Sequence, residues 1–563
     1  MTVYKRLLLF FLLVLAAVPA YWLSRNLTSA PDPDELLPAD TLLFVHWNNF
    51  TRFSQGLAQS PMVMQMQQTG FTRDMQQLGL DSTLISYFDR GAALLQSLNS
   101  VPLIQEILQH RGMLALLPNQ TPDLGLVDSI CASLIFILPE HDAAANESIQ
   151  ALVDESSPVQ TQEYQGALIT VKRLRSGRSL YSSTIHNFTL YAFAQGPIRR
   201  CLDQAVSRML GGAQAAHGQK NWQHQHRIVP QEEGEFFFYA DAHALRSQPL
   251  WGHALFPLWQ GLLFQQVIVA HAIDGNHTGL SATLRFKADE LNAWLQKHEL
   301  KASAQPPLNV SPDPATLLHF WTNWFTPEVL HRFMAAVNNT ELGAPLFAAA
   351  RDFFDQASLS EEEFYRLFAT ELGLVVRGER NQNDTLKPLF SLYFKGQDMV
   401  VVHERLQRLF SGFPLRRVEL EYGTEAVTFS MVGGLIQPAF AVIGRHLLLA
   451  DNLHMVQQMA TRLRRGGEKA TVLDDVGKEV PVHASCYLFM RNKQVAEGTS
   501  QLLQYLVSAK NEKGVAILKD RQKLFVRQLA LPMLATAGKA ESSRFFLGAE
   551  EGTVWAEWQF FLE

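Results

Sequence analysis

Cysteine is scarce in this chain. Only three cysteines occur among 563 residues, Cys131, Cys201 and Cys486, and no two of them have CxxC or another metal-ligand spacing. This excludes a disulfide-stapled scaffold and a cysteine-based zinc site. Cys131 and Cys486 lie in apolar, strand-like runs and Cys201 lies on the apolar stripe of a helix, so we interpret all three as small core residues. A bridge between Cys131 and Cys201 stays an open alternative.

The chain also lacks a block of positive charge. Its formal net charge is −6, and lysine and arginine never cluster beyond a pair with a neighbour or two. Proteins that bind nucleic acid carry a basic patch or stripe that neutralises phosphates. We therefore expect no nucleic-acid partner.

Sequence motifs of the common enzyme classes are missing as well. The chain contains no GxSxG elbow, no P-loop, no HExxH and no GxGxxG loop. No cofactor is implied, and no catalytic residue is assigned. A site assembled from distant residues leaves no such motif, so an enzyme stays an alternative.

The composition is that of a folded protein, with 47% hydrophobic and 18% charged residues. Single hydrophobic cores stop growing at about 250 to 300 residues, so a chain of this length predicts two domains.

The first residues predict a signal anchor. The predicted anchor segment comprises residues 1–23. In it, Lys5 and Arg6 precede an unbroken apolar run from Leu7 to Leu23, which at about 1.5 Å per residue reaches the lower limit for a membrane span. The residues expected to contact the membrane are apolar or interfacial aromatic: Leu7, Phe10, Phe11, Leu15, Tyr21 and Trp22.

The alternative at this end is a cleaved signal peptide, for which Val18-Pro19-Ala20 offers small residues. In both cases the basic pair keeps the N-terminus in the cytoplasm, and the bulk of the chain is expected to be periplasmic or extracellular. Residues 24–36 form a polar linker.

An internal repeat follows. The segment TLLFVHWNNFT from Thr41 is similar to TLLHFWTNWFT from Thr316, at an offset of 275 residues. Further similar segments follow in the same order in both halves. ASLIFIL, YQGALITV and EFFFYAD of the first half correspond to FSLYF, YGTEAVTF and SCYLFMR of the second. Before the last of these pairs, each half has a hairpin and a helix that ends before Gly-Gly, and each half ends with a closing hairpin.

This pattern mixes hairpins and helices without strict strand–helix alternation. It predicts an α+β fold with mainly antiparallel sheet and helices packed on it. We predict two tandem homologous units, residues 37–300 and 315–563, joined by a Pro-rich linker, residues 301–314.

The opening LLPADTLLFVHW from Leu36 resembles the start of the bacterial envelope proteins grouped as domain-of-unknown-function family 3352. That family is similar in layout, with an N-terminal hydrophobic segment, a Pro-Ala-Asp-Thr sequence leading into a first strand, and several hundred residues of α+β sequence. The resemblance covers the chain from Leu36 onward and implies an envelope location. It implies no catalytic residue, cofactor or substrate.

Two histidine groups are candidates for metal or hydrolytic chemistry. His224 and His226 are two residues apart in a segment that leads into a predicted strand. In a strand this spacing places both imidazoles on one face, but no further ligand is close in sequence. His271 and His277 flank Asp274 at a hairpin turn, where Asp is also favoured by turn geometry alone.

Three tryptophans of the two homologous first strands are candidates for facing a ligand: Trp47, Trp321 and Trp324. Their alternative role is core packing, which is common for large aromatic side chains.

The sequence thus favours a non-enzymatic, membrane-anchored extracytoplasmic protein that binds an envelope protein or a lipid. The alternative is an exported hydrolase with an unrecognised site, involving His224, His226 or Asp274.

Overall fold

The computed structural model describes most, but not all, of the chain. The described residues are 33–68, 70–79, 85, 102–118, 126–209, 233–248, 264–274, 277–287, 315–323, 371–380, 386–395, 399–420, 423–430, 437–465, 484–510, 516, 518–550 and 553–562. The predicted anchor, with Leu7, Phe10, Phe11, Leu15, Tyr21 and Trp22, and the predicted linker at residues 301–314 lie outside them.

Twenty strands are described. They are β1 (Leu43–Asn48), β2 (Gly112–Leu116), β3 (Leu134–Pro139), β4 (Gln160–Tyr164), β5 (Ala167–Arg173), β6 (Ser179–Ile185), β7 (Phe188–Ala192), β8 (Glu235–Asp241), β9 (Phe264–Asp274), β10 (His277–Lys287), β11 (Thr316–Thr322), β12 (Glu371–Arg380), β13 (Leu386–Lys395), β14 (Arg416–Leu420), β15 (Thr424–Thr428), β16 (Ala439–Ile443), β17 (His446–Ala450), β18 (Ala484–Met490), β19 (Ala540–Glu550) and β20 (Thr553–Leu562).

The helices lie between these strands. They are α1 (Thr51–Ala58), α2 (Pro61–Met66), α3 (Phe71–Gln77), α4 (Pro102–Gln109), α5 (Leu126–Ser133), α6 (Ala143–Gln150), α7 (Gln195–Met209), α8 (Ala242–Ser247), α9 (Met399–Leu409), α10 (Leu453–Arg465), α11 (Asn492–Ser508), α12 (Asp520–Phe525) and α13 (Leu531–Ala537). A 3₁₀ turn at Pro33–Leu36 precedes β1, and a π turn at Val526–Ala530 joins α12 to α13.

The chain divides into two compact units. The first unit comprises Met1–Gly56 and Leu95–Leu262, and the second comprises Leu57–Leu94 and Leu263–Glu563. The segment Leu57–Leu94 therefore belongs to the second unit, although it precedes most of the first unit in sequence.

The first unit is built on the strand order β8-β1-β2-β3-β7-β6-β5-β4. Helix α7 packs against β3, β6 and β7 through the predicted apolar stripe, in which Ile198, Cys201 and Leu202 are buried. Helix α6 buries Ala145 and Ile149 in a cluster that also contains Leu138 and Tyr191.

The second unit has the order β9-β10-β20-β19-β18-β11-β12-β13-β17-β16-β15-β14. Adjacent residues of β16 and β17 point to opposite faces of the sheet. Ala441 and Leu448 pack with α10, whereas Phe440 and Leu447 pack with α9. Helices thus cover both faces of this part of the sheet.

The α+β, mainly antiparallel part of the predicted fold class is confirmed, and every strand pair that the structure describes is antiparallel. The predicted closing hairpins are β9–β10 and β19–β20. The predicted helices before the Gly-Gly pairs are α7 and α10. None of the helices within the described ranges is both long and apolar enough to span a bilayer.

One prediction was wrong at Cys131. We expected this residue in an apolar strand, but it lies in α5, and β3 begins only at Leu134. The run ICASLIFIL is apolar throughout, and such a run does not distinguish a buried helix from a buried strand.

Candidate functional site

An apolar groove opens on the α9 face of the second unit. Its volume is about 180 Å³. Its lining comes from β13, β16 and β17, from the segments beside them, and from the residue that follows α9: Phe390, Leu392, Phe410, Phe429, Pro438, Ala439, Phe440, Leu449, Ala450 and Asp451.

The groove results from the way the side chains of β13 alternate between the two faces of the sheet. Leu389, Ser391 and Tyr393 are buried on one face, so Phe390 and Leu392 point to the other. Farther along that second face, α9 covers the apolar cluster through Met399 and Val402. Helix α9 ends at Leu409. The end of the face that carries Phe390 and Leu392 is therefore left uncovered.

Aromatic rings form one wall of the groove. Phe410 stacks on Phe429 with ring centroids 4.5 Å apart and an interplanar angle of 27°. Phe413, beside the groove lining, tilts against Phe429 with ring centroids 5.4 Å apart. Phe390, Leu392 and Phe413 are 47%, 36% and 37% exposed, so this apolar surface is accessible from solvent.

One carboxylate, that of Asp451, lies at the rim. It accepts the backbone N–H of Phe390 at 3.1 Å and the side-chain Nδ2–H of Asn452 at 2.9 Å. The remaining lining residues carry apolar side chains. A dry cavity of about 150 Å³ is known to hold a benzene-sized molecule, so this groove accommodates one aromatic ring, one aliphatic side chain or the end of an acyl chain.

A charged row crosses the second unit elsewhere. Glu371 of β12 lies opposite Lys395 of β13, which lies opposite His446 of β17. Burial raises the pKa of Glu371, whereas burial, followed by Lys395 and Arg445, lowers the pKa of His446 to about 4.

Perturbed groups of this kind are candidates for acid–base chemistry. Here, however, Glu371 Oε1 accepts the indole N–H of Trp321 at 2.7 Å, and Glu371 Oε2 pairs with Lys395 Nζ at 3.4 Å. Both oxygens are engaged inside the protein. The row therefore links three strands of the sheet.

Two of the predicted ligand-facing tryptophans lie in the interior. Trp47 is 3% exposed, with its ring against Gly112, and Trp321 is fully buried in a cluster with Tyr393. Their surroundings are those of the core-packing alternative. Trp324 lies outside the described residues.

Only some of the histidine candidates lie in the part of the chain that the structure describes. His224 and His226 lie outside the described residues. His271 is buried on β9, and backbone pairing places His277 opposite Asp274 at the end of the hairpin. Within the described part of the chain, no group of three or more His, Cys, Asp or Glu side chains is close enough to hold a metal ion.

The cysteines are all free, so the alternative bridge between Cys131 and Cys201 is not formed. Burial raises the pKa of Cys201 and of Cys486 to about 12, which keeps both thiols protonated and inert. Cys131 is half-buried, and its Sγ accepts a hydrogen bond from Arg178 Nη1 at 2.6 Å.

Sequence reasoning missed the groove residues. A signal was present in LFSLYF, residues 389–394, which has apolar residues at both alternating sets of positions. Such a strand needs cover on both faces. The pattern did not indicate that the cover on one face would be incomplete.

Compared with known proteins, the chain matches no family model, no curated protein and no solved structure.

Proposed function

We propose that this chain is a non-enzymatic, membrane-anchored extracytoplasmic protein that holds an apolar group of an envelope protein or lipid in the groove of the second unit. The observation that carries this proposal is the open apolar groove, in whose lining Phe390 and Leu392 are exposed to solvent. Soluble proteins seldom expose contiguous apolar surface unless it contacts a partner or ligand.

The location rests on the sequence. A basic pair, Lys5 and Arg6, precedes the apolar run at residues 7–23, which supports a single-pass anchor with a cytoplasmic N-terminus. The resemblance of the segment from Leu36 to family 3352 points to the same cell envelope, and it stays a prediction. No nucleic acid is expected as a partner.

We also propose that the two halves are tandem copies of one ancestral unit. The order β8-β1-β2-β3-β7-β6-β5-β4 has the same connectivity as β18-β11-β12-β13-β17-β16-β15-β14. When β1 is aligned with β11 at the offset of 275 residues, buried residues fall on buried residues: Phe44 on His319, and His46 on Trp321. These agreements accompany the repeated sequence segments in the same order.

Photocrosslinking from the groove tests the proposed binding. A benzoyl-phenylalanine at position 390 of the full chain, in its native membrane, is expected to form one dominant adduct whose mass identifies a lipid or a peptide. The same group at position 400 is the matched control, since Val400 is an apolar residue that is 68% exposed, more than Phe390, but lies on α9, outside the groove lining.

A second substitution shows whether the adduct depends on the groove. Leu392→Asp places a carboxylate in the apolar lining and is expected to reduce the adduct at position 390 roughly tenfold or more. Val401→Asp on α9 should leave it unchanged. Equal adduct yields at positions 390 and 400, or no effect of Leu392→Asp, would show that the groove is not the binding site.

A further inference from the structure

The helices of the second unit form a layer that is distinct from the groove. Helix α11 packs against α13, and α13 packs against α2 and the π turn. We call this set, residues 492–508 and 518–539 together with α2, the helical layer. Helix α11 also packs against β11 and β19, so the layer is fixed to the sheet on one side.

The layer exposes large apolar side chains on each of its helices. Leu502 and Tyr505, one helical turn apart on α11, are 56% and 65% exposed. Met533 on α13, Phe525 at the end of α12 and Met64 on α2 are exposed as well. Single exposed apolar residues are ordinary, but five on one set of contacting helices mark an interaction surface.

The same layer is basic within an acidic protein. Residues 518–539 contain five basic residues, Lys519, Arg521, Lys523, Arg527 and Lys539, and one acidic residue, Asp520, which gives 5 − 1 = +4. Lys493 and Glu497 of α11 cancel and α2 carries no charge, so the layer carries +4, whereas the whole chain carries −6.

Among the described residues, this positive charge is only weakly neutralised. Arg521 and Lys539 donate to the backbone carbonyls of Leu78 and Gln59, which are neutral acceptors. Lys523 lies 3.8 Å from Asp520, and that pair is solvent-exposed on the carboxylate side.

We infer that the helical layer docks on the surface of an anionic lipid bilayer. Helices with apolar side chains beside basic ones bind in the membrane interface, with the apolar groups in the headgroup region and the cations near lipid phosphates. A second copy of the chain is a poorer occupant, because a symmetric contact would bring one +4 surface against another. An apolar peptide would leave the cations without partners.

This surface serves a different purpose from the groove. The groove receives a single apolar group, whereas the layer orients the second unit on the membrane. The inference is independent of the proposed binding activity, and each can fail without the other.

Hydrogen exchange of the full chain in lipid nanodiscs tests the inference. Nanodiscs of phosphatidylcholine alone are compared with nanodiscs that contain phosphatidylglycerol. The amides of residues 502–508 and 531–537 are expected to exchange roughly tenfold or more slowly with the anionic lipid, since each surface cation contributes to attraction. High salt should abolish the difference.

Charge reversal provides the matched comparison. Lys519→Glu with Arg527→Glu should remove the difference between the two lipids, whereas Arg175→Glu with Arg416→Glu, which changes the net charge equally at exposed sites outside the layer, should retain it. Unchanged exchange in the sheet strands β11 to β13 verifies that the variants fold. Equal exchange in both lipids, or protection that depends on protein concentration rather than on lipid charge, would overturn the inference.

Discussion

Buried aromatic rings determine where glycine is required. A Cβ atom on Gly373 would lie 1.8 Å from Cζ of Tyr393, and one on Gly112 would lie 2.9 Å from Cζ2 of Trp47. Gly112 pairs with Trp47 of β1, and Gly373 pairs with Trp321 of β11. Both first strands therefore have a tryptophan opposite a glycine on the second strand, where an aromatic ring lies against the backbone.

His46 is a buried titratable group of the first unit. It is 2% exposed, and its Nε2 has no hydrogen-bond partner among the described residues. Burial, with a smaller contribution from Arg111, lowers the pKa of His46 to about 3. The folded state therefore holds this imidazole neutral.

This lowered pKa predicts acid sensitivity. As the pH falls below the ordinary histidine value, the unfolded chain takes up a proton that folded His46 does not, so stability decreases until the pH reaches about 3. The contribution is at most about 1.4 kcal/mol per pH unit. His46→Leu should flatten the pH dependence of the unfolding free energy, measured with urea between about pH 4 and pH 7.

The exposed His243 offers the control for this experiment. His243→Leu should follow the pH dependence of the unsubstituted protein. Parallel curves for His46→Leu and the unsubstituted protein would contradict the assignment of His46 as a buried neutral group.

At the scale of elements, the internal repeat made the strands predictable from the sequence, whereas the long-range packing of helices on them was not predictable. The segments from Thr41 and Thr316 predicted β1 and β11 because alternation and repetition agree there. Periodicity carries no information about which distant helix covers a strand. The groove depends on where α9 ends relative to β13, and that relation exists only in the folded sheet.

The docking of α2 and α3 is another contact that the sequence did not indicate. Phe71 and Met75 of α3 are buried in a cluster with Leu529 of the π turn. Asp74 Oδ2 accepts a hydrogen bond from Gln528 at 2.7 Å. The segment after β1 is thereby fixed to helices more than four hundred residues later in the chain.

Truncation of the buried ring should release this segment. Phe71→Ala removes a ring that is 2% exposed and should cost about 3–5 kcal/mol of local stability. Hydrogen exchange within residues 61–77 and 520–537 is expected to accelerate, while β12 and β13 keep their protection. Gln76→Ala, at an exposed position of the same helix, is the control and should leave exchange unchanged. Unaltered exchange in Phe71→Ala would show that this cluster does not hold the segment.

At the scale of the whole molecule, the two compact units share a strand pattern but not the proposed binding surfaces. Their eight core strands follow the same connectivity, which agrees with an origin by duplication. The groove and the helical layer both belong to the second unit. These proposals require the second unit to be exported, so the compartment of that unit is the property to measure.

Thiol labelling measures the compartment directly, because the native thiols interfere little. Cys201 and Cys486 are buried with a pKa of about 12, and Cys131→Ser removes the third. Into this background, Leu168→Cys reports on the first unit and Val400→Cys on the second, at side chains 63% and 68% exposed. A membrane-impermeant maleimide should label both in cells with a sealed inner membrane, to the same extent as after lysis. Labelling of Val400→Cys only after lysis would place the second unit in the cytoplasm and would remove the basis for an envelope partner.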